Sequence, residues 1–197
     1  YRGKAPVNWQ IINGEKKSGF TLHYMTKDID EGDIIYQFET QISHDDNILS
    51  LYRKIESSVE SYLNESIINI VIGKISSRKQ NISEGSYYST RRPEDGIIKW
   101  NSSAIDIYNL IRAVTKPYPG AFTYLNGEKI IIWKAHISSS SQNIEFESPS
   151  NYKLLNNVLH VKTKDDIMVI DEFELGSSSQ RKARKIKCSF KPAEYCR

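Results

Sequence analysis

The chain has 197 residues, enough for one large or two small domains with a real hydrophobic core. Its 27 Lys+Arg against 24 Asp+Glu leave a net charge of +3, too near balance for a dedicated nucleic-acid binder. Two cysteines, Cys188 and Cys196, exclude a secreted disulfide scaffold and show no metal-ligand spacing, and no apolar run approaches the ~20 residues that cross a membrane.

With no signal-peptide pattern leading it, the chain is expected to be soluble and cytoplasmic. Residues 18–26 alternate in type and carry β-formers, which predicts a strand. An Asp- and Gly-rich turn follows at 28–33, and 34–42 alternates again, predicting a second strand paired with the first as an antiparallel hairpin. From Asp45 the period becomes helical. Ile48, Tyr52, Ile55, Val59, Tyr62 and Ile70 share one face, Asp45 and Asp46 suit the helix N-terminus, and Gly73 is the stop.

Residues 76–90 are polar, Ser-rich and aperiodic, and read as a linker. Ser103-Ala104-Ile105-Asp106 has the pattern of a capping box, opening a helix with Ala104, Ile107, Tyr108, Ile111 and Val114 on one face. Two prolines and a glycine in Lys116-Pro117-Tyr118-Pro119-Gly120 end it. Short β-like runs then occupy 121–125, 129–137, 157–162 and 167–173, with Asn126-Gly127 as a hairpin turn. One helix followed by four or five short strands fits a small open barrel of the oligonucleotide-binding type. The run Arg181, Lys182, Arg184, Lys185 and Lys187 reads as a solvated basic tail.

The loop Thr26-Lys27-Asp28-Ile29-Asp30-Glu31-Gly32-Asp33 concentrates four acids in six residues. It lacks the alternate-position acids, the sixth-position glycine and the twelfth-position Glu of a calcium loop. Two readings remain open from the residues alone. It is a solvated turn between strands, or one carboxylate is held inward to orient and charge-stabilise a general acid/base.

Tyr1-Arg2-Gly3-Lys4-Ala5-Pro6-Val7-Asn8-Trp9, Gly19-Phe20-Thr21-Leu22-His23-Tyr24-Met25 and Asp28-Ile29-Asp30-Glu31-Gly32-Asp33 together resemble the folate-dependent formyltransferases. Tyr1, Asn8-Trp9, Arg91-Arg92-Pro93-Glu94-Asp95-Gly96 before Ile98-Lys99-Trp100, and Ile111-Arg112-Ala113-Val114 running into Pro117-Tyr118-Pro119-Gly120-Ala121-Phe122 are most similar to the enzymes that formylate nucleotide-linked amino sugars. The resemblance extends over residues 1 to about 137, is faint over 151–175 and is absent from 177–197.

That resemblance implies an α/β fold, with the C-terminal portion of a Rossmann-like formyltransferase catalytic domain over 1–75; the elements read above then divide the rest into a linker at 76–90, a small β-rich, open-barrel domain over 91–176 and a basic tail at 177–197. In the family, the Tyr-Arg-Gly motif follows an Asn-x-His segment and a Ser-Leu-Leu-Pro loop. Neither is in this sequence, so the front half of the catalytic domain, with the catalytic His and Asn, is expected to be missing.

The implied reaction is attack of an amine on the formyl carbon of N10-formyltetrahydrofolate, with no metal. A carboxylate beside the catalytic His stabilises imidazolium, and an Asn amide holds the developing oxyanion. By the resemblance Asp30 is that carboxylate, and Thr26, Lys27, Asp28, Ile29 and Asp30 form the loop that contacts the pterin ring. Lys4 stands where the family usually has a cofactor-touching Arg; it keeps the charge and loses the planar fork. His23 is expected to pack in its strand and point away from the chemistry, since the family commonly has His there without a catalytic role.

The implied acceptor is a dTDP- or UDP-linked amino sugar for surface-polysaccharide (lipopolysaccharide) synthesis, in a homodimeric enzyme with no nucleic-acid or membrane partner. Two alternatives remain: a methionyl-tRNA formyltransferase, which calls for a basic surface that the charge balance ahead of residue 177 does not supply, and a catalytically incomplete fragment that binds folate or nucleotide sugar.

Overall fold

The computed structural model describes residues 1–138 and 145–176. The basic tail expected at 177–197, with Cys188 and Cys196, lies outside them. The chain divides into two units, Tyr1–Arg91 and Arg92–Arg197.

In the first unit, strand β1 (Arg2–Gly3) is followed by helix α1 (Pro6–Ile12). Pro6 suits the first helical turn because its fixed φ is already helical and its missing N–H would have had no intrahelical partner. The helix buries Val7, Asn8 and Ile11. The hairpin is formed by β2 (Lys17–His23) and β3 (Ile34–Gln41), antiparallel and in register at Phe20↔Phe38. β2 ends at His23 rather than at residue 26, and a register shift falls between Leu22 and His23.

Helix α2 (Ile48–Val71) starts one turn later than the acids alone predict. Asn47, not Asp45 or Asp46, is the N-cap: its side chain accepts from the N–H groups of Leu49 and Ser50, and Ser50 returns the bond. Ile48, Leu51 and Ile55 are buried, and the predicted stripe continues half-buried through Tyr52, Val59, Tyr62 and Ile70. Gly73, at φ +68°, follows its end.

Residues 76–90, read from composition as a linker, are instead tied to the first unit by backbone hydrogen bonds. Ile34 and Arg78 exchange N–H···O bonds of 2.7 and 2.9 Å, and β4 (Tyr87–Tyr88) pairs in parallel with β1. Polar composition predicts surface exposure, and it does not predict which long-range ladder a surface strand joins.

In the second unit helix α3 (Ala104–Val114) is capped by Ser103, whose Oγ accepts from the Asp106 N–H at 3.2 Å. Ala104, Ile107, Ile111 and Val114 are buried, as the spacing predicts, and Tyr108 is half-buried. Five strands follow: β5 (Ala121–Leu125), β6 (Glu128–Ile137), β7 (Tyr152–Leu155), β8 (Val158–Lys162) and β9 (Ile167–Gly176). They form one antiparallel sheet in the order β5-β6-β9-β8-β7. Asn126 and Gly127, at φ +51° and +81°, turn the β5–β6 hairpin. α3 packs on β6, β5 and β9, and the core gathers Ile107, Ile111, Ala121, Ile132 and Met168. The fold is thus mixed α/β with a sheet-rich second unit.

Candidate active site

The site is built on the connection between β2 and β3 in the first unit. This loop must turn sharply at Gly32, where a Cβ would lie 1.7 Å from the Tyr24 carbonyl oxygen, so only glycine fits there. Tyr24 N–H donates to the Asp33 carbonyl at 3.0 Å and closes the neck of the loop. Asp30 sits at its tip at φ +57°, in the left-handed region that Asp and Asn tolerate better than most side chains.

Asp30 is held from several directions. Its Oδ2 accepts from the Gly3 N–H at 3.0 Å, and its Oδ1 lies 3.7 Å from His23 Nε2. Its carbonyl oxygen accepts from Arg2 Nε at 3.1 Å and from Gln80 Nε2 at 3.0 Å. Asp30, His23, Arg2 and Gln80 all line one cavity of about 520 Å³, to which Phe20 and Tyr52 also contribute. His23 therefore does not point away along its strand. The shift between Leu22 and His23 breaks the strand's alternation, and the imidazole faces the loop, with Nδ1 2.9 Å from the Tyr24 carbonyl.

The donors that hold Asp30 are positioned by aromatic packing. Tyr1 stacks on Tyr88 with centroids 4.6 Å apart, Trp9 Nε1 donates to the Ser89 carbonyl at 3.1 Å, and Arg91 lies over the Trp9 ring. These contacts clamp the 87–91 segment against Tyr1 and α1, which holds the β1–β4 pair and hence the Gly3 N–H. Next to Asp30, Glu31 accepts a hydrogen bond from the Tyr87 hydroxyl, which raises the phenol above its usual range.

The other residues picked out by the sequence lie on the exposed part of the loop. Thr26 Oγ1 donates to the Asp28 carbonyl at 3.2 Å, and the side chains of Lys27, Asp28 and Ile29 are exposed. Lys4 is exposed after β1, its N–H bonded to the Tyr88 carbonyl. No described contact joins Lys4, Lys27, Asp28 or Ile29 to the Asp30 carboxylate. Arg2 and Gln80 carry no local sequence signal of their role; the pairing of β1 with β4 places Arg2, and the bridge between Arg78 and Ile34 brings Gln80 to the loop. Among the described residues no group of three or more His, Cys, Asp or Glu could hold a metal ion.

The two-unit fold is that of the formyltransferases. It superposes with TM-score 0.70 on HypX from Aquifex aeolicus in complex with tetrahydrofolic acid, at 19% identity, covering 89% of this chain and 30% of that one. It matches the N-formyltransferase from Helicobacter canadensis, solved with folinic acid and dTDP-3-aminofucose, with TM-score 0.68 and 25% identity over 88% of this chain and 62% of that one.

The sequence profile of the formyl transferase C-terminal domain matches residues 91–191, and that of formyl transferase matches residues 1–67. The chain belongs to the formyl transferase family. It is 50% identical over 141 residues to the bifunctional polymyxin resistance protein ArnA of Wigglesworthia glossinidia brevipalpis, covering 72% of this chain. The chain spans 22% of the length of that relative.

Proposed function

We propose that the protein transfers the formyl group of N10-formyltetrahydrofolate to the amine of a nucleotide-linked amino sugar, with Asp30 as a catalytic residue. The observation that carries the reading is the Asp30 carboxylate, fixed at Oδ2 by the Gly3 N–H on the wall of a cavity. Family membership supports formyl transfer. Similarity to an N-formyltransferase solved with folinic acid and a dTDP-linked 3-amino sugar supports the donor and the class of acceptor.

In this reaction the acceptor nitrogen bonds to the formyl carbon, the bond from that carbon to N10 breaks, the amine loses a proton and N10 gains one. An ionised carboxylate donates no hydrogen bond and is a weak base for an amine, so Asp30 neither holds the oxyanion nor takes the proton itself. Its role is to orient an imidazole and stabilise it as imidazolium while the proton moves. Because the Gly3 N–H bonds Asp30, a histidine from the Asn-x-His segment that precedes this motif in family members would enter beside the carboxylate.

The exposed loop 26–30 reads the pterin edge through backbone N–H and C=O groups, and Lys4 supplies positive charge near the cofactor. Exposure of the loop side chains supports this backbone reading, because such recognition leaves them free to face solvent. No described helix is long and apolar enough to cross a membrane. The reading puts the enzyme in the cytoplasm, supplying a formylated sugar to surface-polysaccharide synthesis.

The test is to assay the full-length protein with N10-formyltetrahydrofolate against a panel of dTDP- and UDP-linked 3- and 4-amino sugars, with methionyl-tRNA alongside, following product by mass spectrometry. One amino sugar should be formylated, and Asp30→Asn should lower kcat by roughly 10²-fold or more, the scale of lost acid/base orientation. Formylation of methionyl-tRNA alone would overturn the acceptor class, and an Asp30→Asn enzyme within threefold of wild type would overturn the role of Asp30.

A further inference from the structure

We propose that Gln80 is a positioning residue for Asp30, an inference that rests on the catalytic role read above. Gln80 lies fifty residues downstream of Asp30, in the polar stretch after α2, and both polar atoms of its carboxamide are engaged, one with the loop and one with Arg2. One side-chain nitrogen, Nε2, donates to two carbonyl oxygens two residues apart, Asp30 at 3.0 Å and Gly32 at 2.6 Å. Its Oε1 accepts from Arg2 Nη2 at 2.7 Å, while Arg2 Nε donates to the same Asp30 carbonyl at 3.1 Å.

This ring of bonds fixes which way the amide faces. Two carbonyls require its NH₂ and a guanidinium requires its oxygen, so the reversed orientation would lose all three bonds. It also acts where the loop is least able to hold itself. Asp30 occupies a left-handed conformation that non-glycine residues seldom adopt, and Gly32 has no room for a side chain. By tying both carbonyls, Gln80 sets the path of the backbone that carries the Asp30 carboxylate toward the Gly3 N–H and His23.

The clamp has a built seat. A Cβ on Gly85 would lie 1.5 Å from Arg2 Nη1, so the absence of a side chain there makes space for the guanidinium that braces Gln80. The Tyr87 ring lies under the same guanidinium at 5.6 Å. Thus the segment 80–87 supports the loop from one side while Gly3 bonds the carboxylate itself.

The experiment uses the full-length protein with Gln80→Glu, which keeps the shape and the acceptor for Arg2 but removes both N–H donors, and with Gln80→Met, which removes donors and acceptor. Three readouts are taken: steady-state kinetics, hydrogen exchange across residues 29–34, and a double-mutant cycle with Asp30→Asn. Both variants should lower kcat about 10-fold or more with KM for donor and acceptor within threefold. Exchange across 29–34 should rise about tenfold while the melting temperature stays near that of wild type.

In the Asp30→Asn background, Gln80→Glu should change kcat less than twofold, because a residue acting through Asp30 has nothing left to position. Full additivity in the cycle, unchanged exchange across the loop, or failure of both variants to fold would each overturn the proposal, the last by making Gln80 purely structural. Asp30→Asn alone tests the catalytic reading. A defect in that variant with none in Gln80→Glu would sink this inference and leave the reading standing.

Discussion

His23 Nε2 lies 3.7 Å from Asp30 Oδ1, while the other ring nitrogen, Nδ1, lies 2.9 Å from the carbonyl oxygen of Tyr24. A carbonyl only accepts, so Nδ1 carries a hydrogen, and Nε2 meets the carboxylate as a donor when the ring is doubly protonated. The ring thus presents Nε2 to one oxygen of the carboxylate, while the Gly3 N–H bonds the other.

Replacing His23 with Phe keeps a planar ring but removes the contact at Oδ1 and leaves Gly3 holding Oδ2. The expected loss in kcat is about 10-fold, or ~1.4 kcal/mol, the size of one modest polar interaction and well below the loss for Asp30→Asn. His23→Gln, which supplies an amide donor, should recover part of it. Steady-state kinetics on the three variants check the order. A His23→Phe loss matching that of Asp30→Asn would make His23 an equal partner and not an auxiliary one.

The exposed loop supports a second prediction, about folate. If backbone groups of residues 26–30 read the pterin, single side-chain removals at Lys27 and Ile29 should change affinity for N5-formyltetrahydrofolate, a stable analogue of the donor, by less than about threefold. Replacing residues 26–30 with a Gly/Ser segment of equal length should weaken it about tenfold or more, because a flexible segment must be ordered on binding. Titration calorimetry on the full-length protein separates the two. Equal affinity for wild type and the replaced loop would remove this segment from the site.

Much of this architecture was legible in the sequence wherever a period was long enough to read. The alternation of 34–42, the helical stripe from Ile48 to Ile70 and the Asn126-Gly127 turn all appear where the pattern put them. α1 leaves no readable period, because seven residues give too few turns to show one. β7 is equally hard to read: its turn to β8 uses Asn156 and Asn157, at φ +50° and +65°, in place of the stronger Asn-Gly signal.

The site was less legible than the fold. Asp30 emerged from a motif resemblance, since the composition of its loop was equally that of a solvated turn. Its supports come from Arg2, Gly3 and Gln80, and contacts over 28, 27 and 50 residues leave no local pattern. His23 reads from the sequence as a mid-strand residue that packs away from the chemistry, whereas β2 ends at His23 and the register shift after Leu22 turns the ring toward the loop.

A third prediction concerns the start of α3. Asp165, from the turn between β8 and β9, accepts from the Ala104 N–H at 2.8 Å and from Thr163 Oγ1 at 3.2 Å. The bond from the Ala104 N–H is the main cause that holds this carboxyl below its ordinary range. Asp165→Ala leaves an N-terminal helix donor without its anion and should destabilise the second unit by about 1 kcal/mol, the usual cost of a lost cap. Chemical unfolding at neutral pH measures it, and a change under about 0.3 kcal/mol would show that Ser103 caps the helix sufficiently alone.

The last prediction follows from Asp46, which is only 6% exposed just ahead of α2. Burial pushes its carboxyl up. The Lys54 ammonium, the Ser43 N–H at 2.7 Å and the Ser50 hydroxyl at 2.8 Å outweigh burial, and the group ends below its ordinary range. A carboxyl whose folded pKa is depressed contributes stability above its unfolded value of about 3.9, and that contribution is lost as pH falls through the folded value. The first unit should therefore lose stability below about pH 4 for this reason in particular. Asp46→Asn keeps the shape but turns an NH₂ toward donors, and should cost about 1–3 kcal/mol at pH 7. As pH falls through the depressed folded value wild-type Asp46 takes up a proton, so the gap between wild type and variant should narrow steadily toward the acid end of the range. Urea unfolding of both proteins from pH 7 to pH 2 reads that gap directly. A gap of constant size across the range would mean that Asp46 acts by shape alone and that its charge does not stabilise the helix start.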